Sequence, residues 1–159
     1  MKEHELYNYK LVLQYEGIRY NGWQKQKNQE NTIQEVVENA VFDGTGERAE
    51  VIGSGRTDAG THAMGQVANV KLGQDLEPER LMDNINKHLP SDIKILECEK
   101  VDNRFHARLN AKAKTYMYTL CVGKKPDVFN RRTVLHYCAD LDVDAMKKAA
   151  EYLKGEHDF

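Results

Sequence analysis

Cysteine is scarce in this 159-residue chain: Cys98, Cys121 and Cys138 are odd in number, and no two are spaced as CxxC. That argues against a disulfide framework and a structural zinc site, and it fits a reducing cytosol. Long apolar runs are missing too; none approaches the ~20 residues that a bilayer-spanning helix needs. The opening MKEHELYNYK has no apolar stretch of the secretory kind, so no leader is expected. Apolar residues make up 40% of the chain and charged residues 30%, with 11 glycines. Such a composition excludes the disordered and fibrous classes. The length suits one generous domain, or one domain and part of another.

Excess charge is also lacking, since the net value is only −2. Its distribution is uneven. Arg104, Arg108, Lys112, Lys114, Lys124, Lys125, Arg131 and Arg132 are accompanied by a single acid, Asp127, which makes a local block of +7. The remainder of the chain carries −9. A basic block in an acidic protein is the footprint of a polyanion partner or, on charge alone, a solvated strip.

Periodicity places the elements. Residues 9–16 alternate as a strand, with Leu11, Leu13 and Tyr15 on one face. A helix is predicted over 32–43. It opens on the capping box Thr32-x-x-Glu35 and carries the stripe Ile33, Val36, Val37, Ala40 and Val41. Strands at 49–53 and 66–72 follow, the latter directing Ala68, Val70 and Leu72 one way. A second helix over 78–88 starts at Pro78 and stops before Pro90, with Leu81, Met82, Ile85 and Leu89 on its buried side. A strand at 92–101 completes β-α-β-β-α-β, the split βαβ or ferredoxin-like order that RNA-recognition domains share with many unrelated proteins. The pattern then restarts. Strands at 114–122 (Tyr116, Tyr118, Leu120 and Val122 on one face) and 133–138 precede a helix at 142–154 that would bury Met146, Ala149, Ala150 and Leu153. Two strands and a helix cannot cover their own sheet. They either extend the first sheet or begin a second domain.

Chemistry concentrates in Gly53-Ser-Gly-Arg-Thr-Asp-Ala-Gly-Thr-His-Ala-Met-Gly65, between the second and third strands. Its four glycines permit positive φ and let a ligand approach the backbone, leaving Arg56, Asp58 and His62 to project into that space. It is not a P-loop, because GK[ST] is missing, and not a dinucleotide fingerprint, because Asp58 stands where a glycine is required. The Asp58 carboxylate can serve as nucleophile, general base or stabiliser of a cationic centre, or it can simply pair with Arg56 at the tip of a structural loop. No second carboxylate lies close by to make a glycosidase pair. His62 and His106 lack a third ligand at metal-site spacing, which favours hydrogen-bonding or RNA-facing roles. Tyr116 reads either as a base-stacking platform or as part of a core stripe, and Trp23 as a core residue.

Arg56-Thr-Asp-Ala-Gly-Thr-His-Ala63 resembles the RTDAGVHA signature of the tRNA pseudouridine synthase A family, with Thr61 in place of valine. Further blocks match in order: Tyr20-Asn-Gly-Trp-Gln24, Gly65-Gln66-Val67, Leu89-Pro90, Phe105-His-Ala-Arg108, Lys114-x-Tyr116-x-Tyr118 and Gly155-Glu-His-Asp-Phe159. The last is internal in family members, so the chain reads as their amino-terminal part. The resemblance implies a cytoplasmic enzyme that isomerises uridine to pseudouridine in the anticodon stem-loop of tRNA, without metal or organic cofactor. It makes Asp58 the catalytic aspartate, Arg56 a handler of the flipped nucleotide and Tyr116 the ring against the target uracil. His62, Gln66, Arg108 and Lys114 would contact the substrate. The family's partners would be tRNA and, at full length, a second copy of the chain; no membrane is involved. The expected class is thus α/β (α+β). A ferredoxin-like, RNA-recognition-like domain with an antiparallel mixed sheet would span 1–104, and the start of a second, similar domain 105–159. A non-catalytic RNA-binding module is the rival reading, and a phosphate-cradling hydrolase, which needs a lysine or metal cluster, is a third.

Overall fold

The structure, a computed structural model, describes residues 5–28, 30–123, 125 and 127–158. Lys124 and Phe159, both singled out above, lie outside the described residues. The chain divides into two compact units, one ending at Lys114 and the other starting at Thr115.

The first unit is built on strand β1 (Tyr7–Tyr15), which pairs antiparallel with β3 (Ala63–Leu72) on one side and β4 (Ile93–Val101) on the other. The short β2 (Val51–Gly53) adds antiparallel to β3, so the sheet runs β4-β1-β3-β2. Period-two alternation sends Tyr9, Leu11, Leu13 and Tyr15 to the face that also receives Ala68, Val70 and Leu72, and all are buried. Helices α1 (Ile33–Thr45) and α2 (Pro78–His88) close that face with Ile33, Val37, Ala40, Val41, Leu81 and Ile85. The unit is an α+β layer, with both helices on one side of an antiparallel sheet.

Local chemistry sets the helix ends. The Thr32 side chain accepts the Glu35 N–H, as a capping box requires, but the Glu35 carboxylate reaches the Asn31 N–H, one residue further upstream. At the other end Gly46 takes a left-handed φ of 78° and returns its N–H to the Phe42 carbonyl. Strand β3 begins earlier than periodicity suggests, because β1 still offers backbone partners at Tyr15, opposite Ala63.

In the second unit β5 (Leu120–Val122) and β6 (Leu135–Tyr137) pair parallel in a sheet of their own, followed by α3 (Val143–Glu151). The expected strand over 114–122 is reduced to three residues, as short as its partner. Helix α3 corrects another expectation: Met146, Ala149, Ala150 and Leu153 are exposed rather than buried. The amphipathic pattern is present, but no described layer packs on it.

Candidate active site

The loop between β2 and β3 is held from outside. Trp23 N–H donates to the Thr57 carbonyl (2.9 Å), Gly60 N–H to the Tyr20 carbonyl (3.2 Å), and Gly17 N–H to His62 Nδ1 (3.3 Å). Thr61 N–H closes a turn onto the Asp58 carbonyl (3.1 Å), with Gly60 at φ 80° in the position where such a turn needs glycine. Gly22 approaches so closely that a methyl group there would stand 2.6 Å from the Thr57 carbonyl oxygen, and its φ is 81°. Gly22→Ala is therefore expected to destabilise the unit by about 2–5 kcal/mol, through left-handed strain and overpacking. A thermal melt of the variant against the parent checks this.

The clamping segment is itself moored. Tyr20 Oη donates to Asp92 (2.6 Å), and Arg19 pairs with the same carboxylate. Burial, reinforced by the Asp92 hydrogen bond and charge, pushes the Tyr20 hydroxyl up to about 12. Burial alone would raise the Asp92 carboxyl; the hydrogen bonds from Tyr20 and Arg19, with the Arg19 charge, outweigh it and hold it below its ordinary value. Trp23, buried beneath the loop, leaves no room for a side chain at Gly53. Burial also raises the Tyr15 hydroxyl, which is hydrogen-bonded to Thr57 Oγ1 at 2.9 Å. Gly17 and Tyr15 read locally as ordinary turn and strand residues, and Gly22 stands out in the sequence only within the Tyr20-Asn-Gly-Trp-Gln24 block, so their part as supports had little signal.

Held this way, the loop displays Asp58. Its side chain is exposed, and no hydrogen bond or ion pair among the described residues engages it. Arg56 is likewise exposed, and no ion pair joins the two. Lys114 brings a cation: a methyl group on Gly55 would meet its Nζ at 2.5 Å, so the ammonium rests on the loop backbone. Gln66 is turned to the start of the loop. It is buried, accepts from Ser54 Oγ (2.8 Å) and donates to the Gly55 carbonyl (2.6 Å), fixing the start of the loop. His62 is half-buried against Gly17. Arg108 is exposed, directly after the buried Ala107. Tyr116 belongs to the second unit, where it is 69% exposed and is no part of a core stripe.

Among the described residues the cations divide between those that face a carboxylate and those that do not, and the second group includes Arg56, Lys71 and Lys94 as well as members of the basic block. Arg104, Arg108, Lys112, Lys114, Lys125 and Arg131 are exposed and outside any ion pair among the described residues. Lys10, Arg19, Lys25, Lys100, Lys147 and Lys154 each face a carboxylate. Among the described residues no group of three or more His, Cys, Asp or Glu side chains is arranged to hold a metal ion, and no helix is long and apolar enough to cross a membrane.

The first unit is of the class of α+β layers that display an exposed carboxylate on a braced glycine-rich loop, with a lysine ammonium laid against that loop. Comparison with known proteins narrows that class. Residues 11–110 match the model of a family described as tRNA pseudouridine synthase. The tRNA pseudouridine synthase A of a Bacillus species is 47% identical over 152 residues, which cover 96% of this chain and 62% of that protein. Similar relatives are tRNA pseudouridine synthase A 2 of Bacillus cereus (44% over 154 residues, 97% of this chain and 63% of the relative) and tRNA pseudouridine synthase A of Acetivibrio thermocellus (43% over 152 residues, 96% and 62%). The chain belongs to the tRNA pseudouridine synthase family. It spans about 62% of the length of the relatives it matches.

Proposed function

We propose that a full-length protein carrying this sequence isomerises uridine to pseudouridine in the anticodon stem-loop of tRNA, as a cytoplasmic homodimer, with Asp58 as the catalytic carboxylate. The observation that carries this reading is the exposed Asp58 side chain, without a hydrogen bond or ion pair among the described residues, on a loop braced at Thr57, Gly60 and Thr61, in a chain of this family. The reaction breaks the C1′–N1 bond with its electron pair left on uracil. The ring then turns, C5 bonds to C1′, the C5 proton leaves and N1 takes up a proton. Charge thus develops positively on the ribose and negatively on the base. A carboxylate at C1′ can capture the ribose covalently, or remove the 2′ proton to give a glycal. Either route needs a carboxylate that can reach C1′, and the Asp58 side chain is exposed, with no hydrogen bond or ion pair among the described residues. Isomerisation consumes no external donor or oxidant.

The target base must leave its stack, at a cost of a few kcal/mol. Stacking on an aromatic ring returns ~1–3 kcal/mol per base, and the exposed ring of Tyr116 is suited to that role. Arg56 handles the flipped nucleotide and Arg104, Arg108, Lys112, Lys114, Lys125 and Arg131 serve the phosphates, while Gln66 and His62 act by holding the loop. Tyr116→Ala is expected to lower turnover by about 10- to 100-fold with a much smaller change in initial tRNA affinity. Tyr116→Phe should keep most activity, and equal losses of both quantities would assign the ring a structural role instead. The reading as a whole is tested by incubating the full-length protein with unmodified tRNA and mapping pseudouridine. Tight binding without product would favour the non-catalytic RNA-binding alternative.

A further inference from the structure

The helices cover one face of the sheet; on the other lies a buried polar pair that the reaction does not call for. Asn8 on β1 and Asn69 on β3 are each only 1% exposed. Asn69 sits opposite Lys10, so the two asparagines share the face away from Leu11 and Ala68. Their amides form a chain. Asn69 Nδ2 donates to Asn8 Oδ1 (3.1 Å), and Asn8 Nδ2 donates to the carbonyls of Asp102 (3.0 Å) and Phe105 (2.9 Å). Asn69 Oδ1 accepts the Ala107 N–H (2.8 Å). Every polar atom of the pair is thereby used, and three of the four bonds grip the backbone of one segment, 102–107. The same segment is closed on itself where Asn110 exchanges bonds with His106, and is tied at its flank by Lys71 to the Asn103 carbonyl.

Burying two amides on a sheet face that could hold apolar side chains is costly unless each atom is satisfied. What they secure is the stretch in which buried Ala107 is followed by exposed Arg108. Strand β3 carries both attachments: Gln66 holds the Gly55 carbonyl at the start of the Asp58 loop, and Asn69, three positions on, holds Ala107. One strand therefore sets the spacing between the loop and the arginine.

We propose that Asn8 and Asn69 are positioning residues of the site, whose amide pair fixes Arg108 at a set distance from the Asp58 loop so that it meets a tRNA phosphate when the target nucleotide reaches Asp58. This inference rests on the function proposed above. The pair touches no substrate; it acts through the backbone of Ala107.

The test uses the full-length protein, with unmodified tRNA as probe. Wild-type binding and turnover are measured first, and failure of either overturns the functional reading and this inference with it. With an active wild type, Asn69→Leu should raise KM for tRNA about 10-fold, leave kcat within about 3-fold, and reduce the salt slope of binding by about one phosphate contact, ~0.7–0.9. Arg108→Ala should do the same, and the double variant should be no worse than either single one. A merely structural amide pair would lower the melting temperature without that non-additivity. Should Asn69→Leu fail to fold, Asn8→Ala decides; it leaves the Asn69 acceptor for Ala107 and is expected to shift KM in the same direction by a smaller factor. Unchanged KM, or effects that add in full to those of Arg108→Ala, would overturn the proposal.

Discussion

Asp58→Ala in the full-length protein is expected to lower pseudouridine formation at least about 10³-fold, the scale on which positioned acids, bases and charge stabilisers act, while tRNA affinity stays close to that of the parent. The structure makes this a clean experiment. The Asp58 side chain has no partner among the described residues, so its removal breaks no fold contact, and a surface change of this kind stays within about 0.5 kcal/mol of parental stability. The loop's own bonds are made by the backbones of Thr57, Asp58 and Gly60, which the substitution leaves in place. Asp58→Asn tightens the test, since it keeps the shape and removes only the charge. Single-turnover assays with mapping of the product, alongside a filter-binding titration, separate chemistry from binding. Product at the parental rate from either variant would remove Asp58 from the mechanism.

Raising salt from 50 to 200 mM is expected to weaken tRNA binding about 10³-fold, as counterion release predicts for roughly six phosphate contacts. The number is set by six exposed cations of the basic block that lie outside ion pairs among the described residues, Arg104, Arg108, Lys112, Lys114, Lys125 and Arg131. Lysines that already face Glu or Asp, such as Lys10 and Lys100, release little when RNA arrives. A log–log plot of affinity against salt should therefore have a slope near −4 to −5, and replacing any one of the six by alanine should flatten it by about one contact. A flat plot would remove the basic block from recognition, whatever the fate of Asp58.

Much of the first unit could be read from residue order because its determinants are local. Leu11, Leu13 and Tyr15 alternate, and the strand carrying them is buried on that face. Thr32 and Pro78 mark the helix starts within a residue. What escaped has a non-local cause. Asn8 lies just before the strand read over 9–16 and Asn69 alternates with Ala68 and Val70 without a signal of its own; only the return of residues 102–107 across the sheet buries the pair. Gln66, expected at the substrate, spends its amide on Ser54 and Gly55, contacts made across the chain fold. The stripe on α3 was visible, but periodicity reports a face, not its cover. Asp58 and Arg56 were legible through the signature they share with a known family, and the structure leaves both exposed.

The braces on the Asp58 loop come from 34 to 45 positions upstream, out of the stretch that contains Gly17, Tyr20, Gly22 and Trp23. Damage there therefore travels: an inserted residue or a bulky replacement at Gly17 or Gly22 would misdirect the carboxylate as surely as deleting it. Saturation mutagenesis of the full-length protein would show two separated bands of intolerance, the earlier one at residues that act by holding the loop.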